Sequence, residues 1–174
     1  LDMGPKPKRF GDSVTADHFV VRSEEGQDVL EDNNDYEGQW VGLVLFDRAT
    51  EFTNCYPSGA KSAEKTVEAF VHWQGQQKVK SFYSDNAPEL RRAASKLRWP
   101  HSTSTPGEPK TNGLVERKVR TVKEGTRCNL SQSGLSSSWW PWAARHHCFA
   151  RNVAIVDGES AYNKRHRKGH CKAE

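Results

Sequence analysis

The 174-residue chain has no long hydrophobic run: its longest, WVGLVLF at 40–46, falls far short of the roughly 18 apolar residues a membrane-spanning helix needs. No membrane partner is expected. Sulfur is scarce too, with one methionine and four cysteines (Cys55, Cys128, Cys148, Cys171) that form no C-x-x-C pair. That excludes a disulfide-stapled scaffold and reads as reduced thiols in an intracellular protein. His166 and His170 stand four apart with Cys171 adjacent, but no second ligand pair has suitable spacing, so the segment reads as a basic tail rather than a zinc site. Apolar residues make up 34% of the chain and mean hydropathy is −0.86, a polar balance for a self-sufficient monomer. A polyanion or an oligomer interface is therefore expected as partner. The length fits one domain with a real core. No secretory signal opens the chain, which begins at Leu1, so a piece of a longer protein is expected.

One stretch lacks bases altogether. EEGQDVLEDNNDYE at 24–37 carries seven acids, and with this −7 set aside the net charge of +4 becomes +11 for the remainder. Positive charge collects at 6–9, at 117–127 and at 164–172. This is the electrostatic footprint of a nucleic-acid binder, although for 164–172 alone a solubilising tail is an equal reading.

What is present alternates between strand and helix patterns. Residues 1–9 read as a basic, proline-containing linker. VTADHFVV (14–21) and WVGLVLF (40–46) read as strands, the second buried on both faces, and EFTNCYP (51–57) as a hairpin partner. Apolar residues at 63, 67, 70 and 71 predict a helix over 61–74, followed by a strand at 78–84 and a helix at 87–99. The Pro/Gly/Thr-rich 101–113 predicts a short edge strand and a mobile loop. Helices are then expected from 114 towards Leu130 and over 136–152, the latter with Pro141 in its first turn behind a serine cap. The order β-β-β-α-β-α-β-α-α predicts an α/β fold, a mixed sheet with helices on both faces. The core is expected at 10–156, with 24–37 as an acidic loop insertion and 157–174 as a basic tail.

Three carboxylates stand out. Asp17 lies in an otherwise apolar strand, where a charge is costly unless compensated; the plainer reading is a strand-end acid facing solvent. Asp12 is its neighbour and reads as a turn residue. Asp85 ends a strand, in YSDNAPEL, where capping is the ordinary role; Asn86 with Glu89 forms its own candidate capping box, which would leave Asp85 free for chemistry. Glu116 opens the basic segment TNGLVERKVRTVKE. On a helix, Val115, Val119 and Val122 face the core, while Glu116, Arg120, Lys123 and Arg127 share an arc of roughly 60° beside them. Such a face suits either an ion-paired surface helix or a carboxylate on metal with cations on phosphate. Two strands and a helix that bring carboxylates together would supply the hard oxygen ligands of a Mg²⁺ pair, which drives in-line displacement at phosphorus.

In order along the chain, FGDSVTADHF, WVGLVLFDRATEFTNCYPSGAKSAEKTVEAF, YSDNAPEL, STPGEPKTNGLVERKVRTVKE, WWPWAARHHCFARN and ESAYNKRHRKG resemble the successive motifs of the catalytic core of retroviral and retrotransposon integrases, nearest the copia type. The resemblance spans roughly residues 10–170. It implies an RNase H-like fold with a five-stranded mixed sheet, and Asp17, Asp85 and Glu116 as catalytic residues binding two Mg²⁺ or Mn²⁺ ions. It implies 3′-end processing and strand transfer of element DNA into target DNA, with Arg117, Arg120, Lys123 and Arg127 on the DNA, homodimers or larger assemblies, and a nuclear place of action. The alternative is a domesticated, non-catalytic DNA-binding or scaffold module of the same origin. Three departures stand out: thirty residues lie between Asp85 and Glu116 where roughly thirty-five are usual, Ala87 replaces a glycine, and Ala161 replaces a proline.

Overall fold

The computed structural model describes residues 7–21, 38–103 and 113–169. The acidic stretch 24–37, the loop expected before Gly113, His170 and Cys171 lie outside them. The strands are β1 (Val14–Val20), β2 (Val41–Asp47), β3 (Thr53–Ser58), β4 (Phe82–Ser84) and β5 (His101–Thr103), interleaved with helices α1 (Ala63–Gln74) and α2 (Pro88–Lys96). Then come α3 (Gly113–Ser133) and α4 (Trp140–Val153), a two-stranded hairpin of β6 (Ile155–Val156) and β7 (Glu159–Ser160), and α5 (Ala161–His166). The expected element order holds, and the hairpin with α5 is added to it.

The five-stranded sheet runs β3-β2-β1-β4-β5, antiparallel across β3, β2 and β1 and parallel across β1, β4 and β5. Every residue of β2 is buried, which is why its sequence is apolar without alternation. Strand parity divides the core in two. Val14 and Ala16 of β1 with Leu43 and Leu45 of β2 face α1 and α2, meeting Phe70, Trp73, Leu90 and Ala93. Val44 and Phe19 face the other way, onto Val122 of α3 and Trp140, Ala144 and Cys148 of α4. Helices thus cover both faces, as expected.

Local chemistry sets the boundaries. Ser62 caps α1 by accepting from the Lys65 N–H at 3.3 Å, and Gly75, at φ 58°, ends it. The strand expected at 78–84 is confined to 82–84; ahead of it the Lys80 N–H donates to the Gly11 carbonyl at 2.7 Å instead of joining a strand ladder. Gly11 itself has φ 85°, and a Cβ there would collide with the Lys78 carbonyl. α2 stops three residues early: Arg98 turns left-handed (φ 56°) and Trp99 N–H reaches back to the Ala94 carbonyl at 2.9 Å. That turn brings Trp99 flat onto Phe70, with centroids 4.4 Å apart. The serine cap expected for α4 is replaced by a short 3-10 turn over Ser137–Trp139.

The buried carboxylate of Asp47 organises the turn after β2. It accepts from the Gly11 N–H (2.9 Å), the Thr50 N–H (2.8 Å) and the Thr50 hydroxyl (2.7 Å). Asp12 is indeed a turn residue, accepting from Lys8 and Arg9 N–H groups and paired with Lys80 at 2.7 Å; that pairing holds its pKa at about 2.

The segment from 157 differs from a solvated tail. Ser160 caps α5 by accepting from Asn163 N–H at 3.1 Å, and Ala161 and Tyr162 pack on the α1/α2-side core. Arg165 lies over Phe10 (4.0 Å) and Phe52 (4.4 Å) and donates to the Trp73 carbonyl at 2.6 Å. His166 packs edge-on to Phe52.

Candidate active site

The parallel pairing of β1 with β4 aligns the first two carboxylates. Val14 lies opposite Phe82 and Thr15 opposite Tyr83, an offset of 68. The same offset puts Asp17 level with Asp85, the residue after β4. Parity turns Asp17, like Phe19, to the α3 side of the sheet. Glu116 occupies the first turn of α3 and is exposed.

Asp17 is half-buried, and its own carboxylate accepts from the His18 N–H at 2.7 Å. Burial pushes its pKa up to about 6; the Asp85 carboxylate adds to this, the His18 N–H and the Lys61 ammonium oppose it, and Glu116 makes the smallest upward contribution. The three acids therefore share one electrostatic neighbourhood. They stand wider than a closed ligand set: among the described residues no group of three or more His, Cys, Asp or Glu side chains is close enough to hold a metal ion. The donor chemistry nonetheless fits a divalent cation, since a half-buried carboxylate raised by burial and by two like charges is what a hard cation relieves.

The expected capping box at Asn86 and Glu89 does not form. Helix α2 begins after Ala87 without a side-chain cap, and Asp85 instead accepts from the Ala87 N–H at 3.2 Å, an Asx-type turn. Glu89 points to the opposite face of the sheet. There it pairs with Lys61 at 3.1 Å and lies 3.6 Å from His18 Nδ1. Burial pushes the His18 pKa down to about 4, so the imidazole is neutral at pH 7 and only the Lys61 contact is an ion pair. Sequence reasoning missed Lys61, which no local motif marks, and also His101. The His101 ring lies 2.9 Å from the Ser84 hydroxyl and feels the charges of Arg91 and Asp85.

On α3, Val115 and Val122 are buried and Val119 packs beside them, as expected. Glu116, Arg120, Lys123 and Arg127 line one shallow groove of about 340 Å³, together with Glu124. Two cations of the segment lie apart from it: the Arg117 side chain donates to the Gly113 carbonyl at 3.0 Å, and Lys118 sits over the Phe46 ring at 4.3 Å.

No protein-family model matches the chain. It is 34% identical over 110 residues to the retrovirus-related Pol polyprotein from transposon RE1 of Arabidopsis thaliana, covering 58% of this chain and 7% of that protein. It is 32% identical over 93 residues to the Pro-Pol polyprotein of feline foamy virus, covering 51% and 8%. The HTLV-2 integrase catalytic core domain, in its dimeric form in complex with magnesium, superposes with a TM-score of 0.64 at 16% identity, covering 91% of this chain and 98% of that one. Over these stretches the chain is similar to retroelement Pol polyproteins, and its fold is that of the integrase cores. The core of bovine immunodeficiency virus (BIV) integrase gives a TM-score of 0.61 at 14% identity over 88% of this chain and 92% of that one. This is the RNase H-like architecture that the motif order implied, and the chain spans less than a tenth of the curated Pol proteins it matches.

Proposed function

We propose that the chain is the catalytic core of a retrotransposon-type integrase, which trims 3′ ends of element DNA and transfers them into target duplex DNA. The observation that carries this reading is the level placement of Asp17, in β1, and Asp85, just past the end of the parallel neighbour β4, with Glu116 in the first turn of α3. Asp17, Asp85 and Glu116 would hold Mg²⁺ or Mn²⁺, two ions in the full reaction. Divalent metal supplies Lewis-acid stabilisation of charge at phosphorus and a more acidic attacking hydroxyl. The chain's own residues bind and orient: Arg120, Lys123 and Arg127 face outward beside Glu116, where they would grip the DNA backbone and fix its register. Asp17, raised to about 6, gives up its proton below neutral pH and is ionised for that role at pH 7.

Self-association belongs to the same reading. Helix α4 exposes Trp142 and Phe149, and α1 exposes Val71, large apolar groups that a second copy would cover.

The decisive experiment compares wild type with Asp85→Asn on element-end oligonucleotides. The variant is expected to lose nicking and strand transfer while its Tm stays within about 2 °C of wild type, since a half-exposed acid contributes little packing. Retained transfer would overturn the assignment. The spread of the three carboxylates favours one second reading, a non-catalytic DNA-binding module. It predicts salt-dependent duplex binding without a divalent requirement, and metal-dependent cleavage by the purified wild type would exclude it.

A further inference from the structure

We propose that His101 is a positioning residue for Asp85, which it holds from the neighbouring strand through the hydroxyl of Ser84. The proposal rests on the integrase reading, in which Asp85 binds metal. The first two acids of that reading are held differently. Asp17 lies inside β1, paired with Val44 of β2, so ladder hydrogen bonds fix its backbone. Asp85 lies one residue past β4, where both ladders have ended: the pairs with β1 stop at Tyr83 and those with β5 stop at Ser84. Its placement depends on side-chain contacts instead.

Two such contacts hold it. The Asp85 carboxylate accepts from the Ala87 N–H at 3.2 Å, and its carbonyl accepts from the Ser84 hydroxyl at 2.8 Å. Ser84 is fully buried, and the His101 Nε2 lies 2.9 Å from the same hydroxyl oxygen. A hydroxyl has one proton and a carbonyl can only accept, so that proton points to Asp85 and the imidazole must donate. Burial and the Arg91 charge hold the His101 pKa below its ordinary value. At pH 7 the ring is therefore neutral, with a single N–H that this contact places at Nε2. The donors then run one way, from His101 to Ser84 to the Asp85 carbonyl.

The ring has little freedom to leave this contact. His101 lies opposite Phe82 in the parallel ladder and over its ring, with centroids 4.8 Å apart. Phe82 is fully buried and packs edge-on against both Phe70 (5.1 Å) and Trp99 (5.5 Å). The core on the α1/α2 side therefore sets where the imidazole stands, and the imidazole sets the Ser84 hydroxyl. Packing alone needs only a flat ring on Phe82; the Nε2–H is the part that acts on Asp85. Partners of this kind, which orient a metal ligand without touching the metal, are worth about 10–100-fold in metal affinity.

The test titrates Mn²⁺ into the full chain by calorimetry at pH 7.5, with Asp85→Asn setting the affinity left when the ligand itself is lost. His101→Phe keeps a ring on Phe82 and removes the donor, so its affinity for Mn²⁺ should fall by about 10-fold or more. His101→Gln puts an amide N–H near the position of Nε2 and should recover most of that loss. Ser84→Ala should match His101→Phe, and the double variant should lose no more than either alone. Wild-type affinity in His101→Phe, or equal losses in His101→Phe and His101→Gln, overturns the positioning role and leaves the integrase reading standing. Wild type that binds Mn²⁺ no better than Asp85→Asn overturns both. If His101→Phe does not fold, Ser84→Ala carries the test, and wild-type affinity there overturns the positioning role.

Discussion

Asp17 and His18 are consecutive in β1, face opposite sides of the sheet and are shifted by burial in opposite senses of charge. The acid rises to about 6 and the imidazole falls to about 4, so both groups are pushed towards neutrality. Their linkage to folding has opposite signs. Between the unfolded value of 3.8 and about 6 the folded chain holds a proton on Asp17 that the unfolded chain has released, so stability falls as pH rises through this window. Between about 4 and the unfolded value of 6.5, the unfolded chain protonates His18 and the folded one does not, so stability falls as pH falls. In metal-free buffer the two slopes offset one another over about pH 4–6.

Single substitutions should separate them. Asp17→Asn is expected to raise stability above pH 6 by about 1–2 kcal/mol, or roughly 3–6 °C in Tm, with the gain vanishing below pH 4. His18→Gln should flatten the acid limb instead. Thermal melts across pH in EDTA read both, and parallel curves for the two variants would contradict the assignment of opposite slopes.

Metal addition supplies a second measurement. At pH 7.5, Mg²⁺ or Mn²⁺ at about a hundredfold over Kd should stabilise wild type by about 2.7 kcal/mol, and Asp17→Asn by far less. The effect should fade as pH falls through about 6, where Asp17 takes up its proton. Differential scanning fluorimetry with and without chelator reads this shift without any DNA.

Asp47→Ala should be far more damaging than either. It leaves the Gly11 N–H and both Thr50 donors without their buried acceptor, at a cost of about 2–4 kcal/mol. Asp47→Asn keeps an acceptor oxygen and should cost less. Urea unfolding gives the order, and equal losses would mean that volume rather than hydrogen bonding dominates.

Arg165→Ala is expected to cost about 1–3 kcal/mol, because it removes the stack on Phe10 and Phe52 and the donor to the Trp73 carbonyl. Arg165→Lys should recover little, since an ammonium cannot reproduce the planar contact. Limited proteolysis after Ala154 should accelerate in both variants, reporting release of the β6–β7 hairpin and α5.

Much of the fold is local and therefore legible in the chain. The unbroken apolar run of β2, the valine stripe of α3 and the strand–helix alternation each follow from side-chain periodicity, which depends only on backbone geometry. The carboxylate types and their order were legible for the same reason, and so was the arc of Glu116, Arg120, Lys123 and Arg127. Helix ends were less so. Asn86 and Glu89 satisfy the spacing of a capping box, yet Lys61, distant in sequence, holds Glu89 on the other side of the sheet. Residues 157–174 read as a basic tail because nothing local shows that Phe10, Phe52 and Trp73 converge to receive Arg165.

The sequence by itself determined which side chains carry charge, which strands are buried and which helix face is cationic, because these follow from residue chemistry and period. Only the tertiary structure decided that Asp17 lies level with Asp85, that burial raises the first to about 6, and that the His101 ring of β5 meets the hydroxyl of Ser84. Those facts depend on strand register and on which elements meet across the sheet, and pairings between segments tens of residues apart leave no periodic trace in the chain.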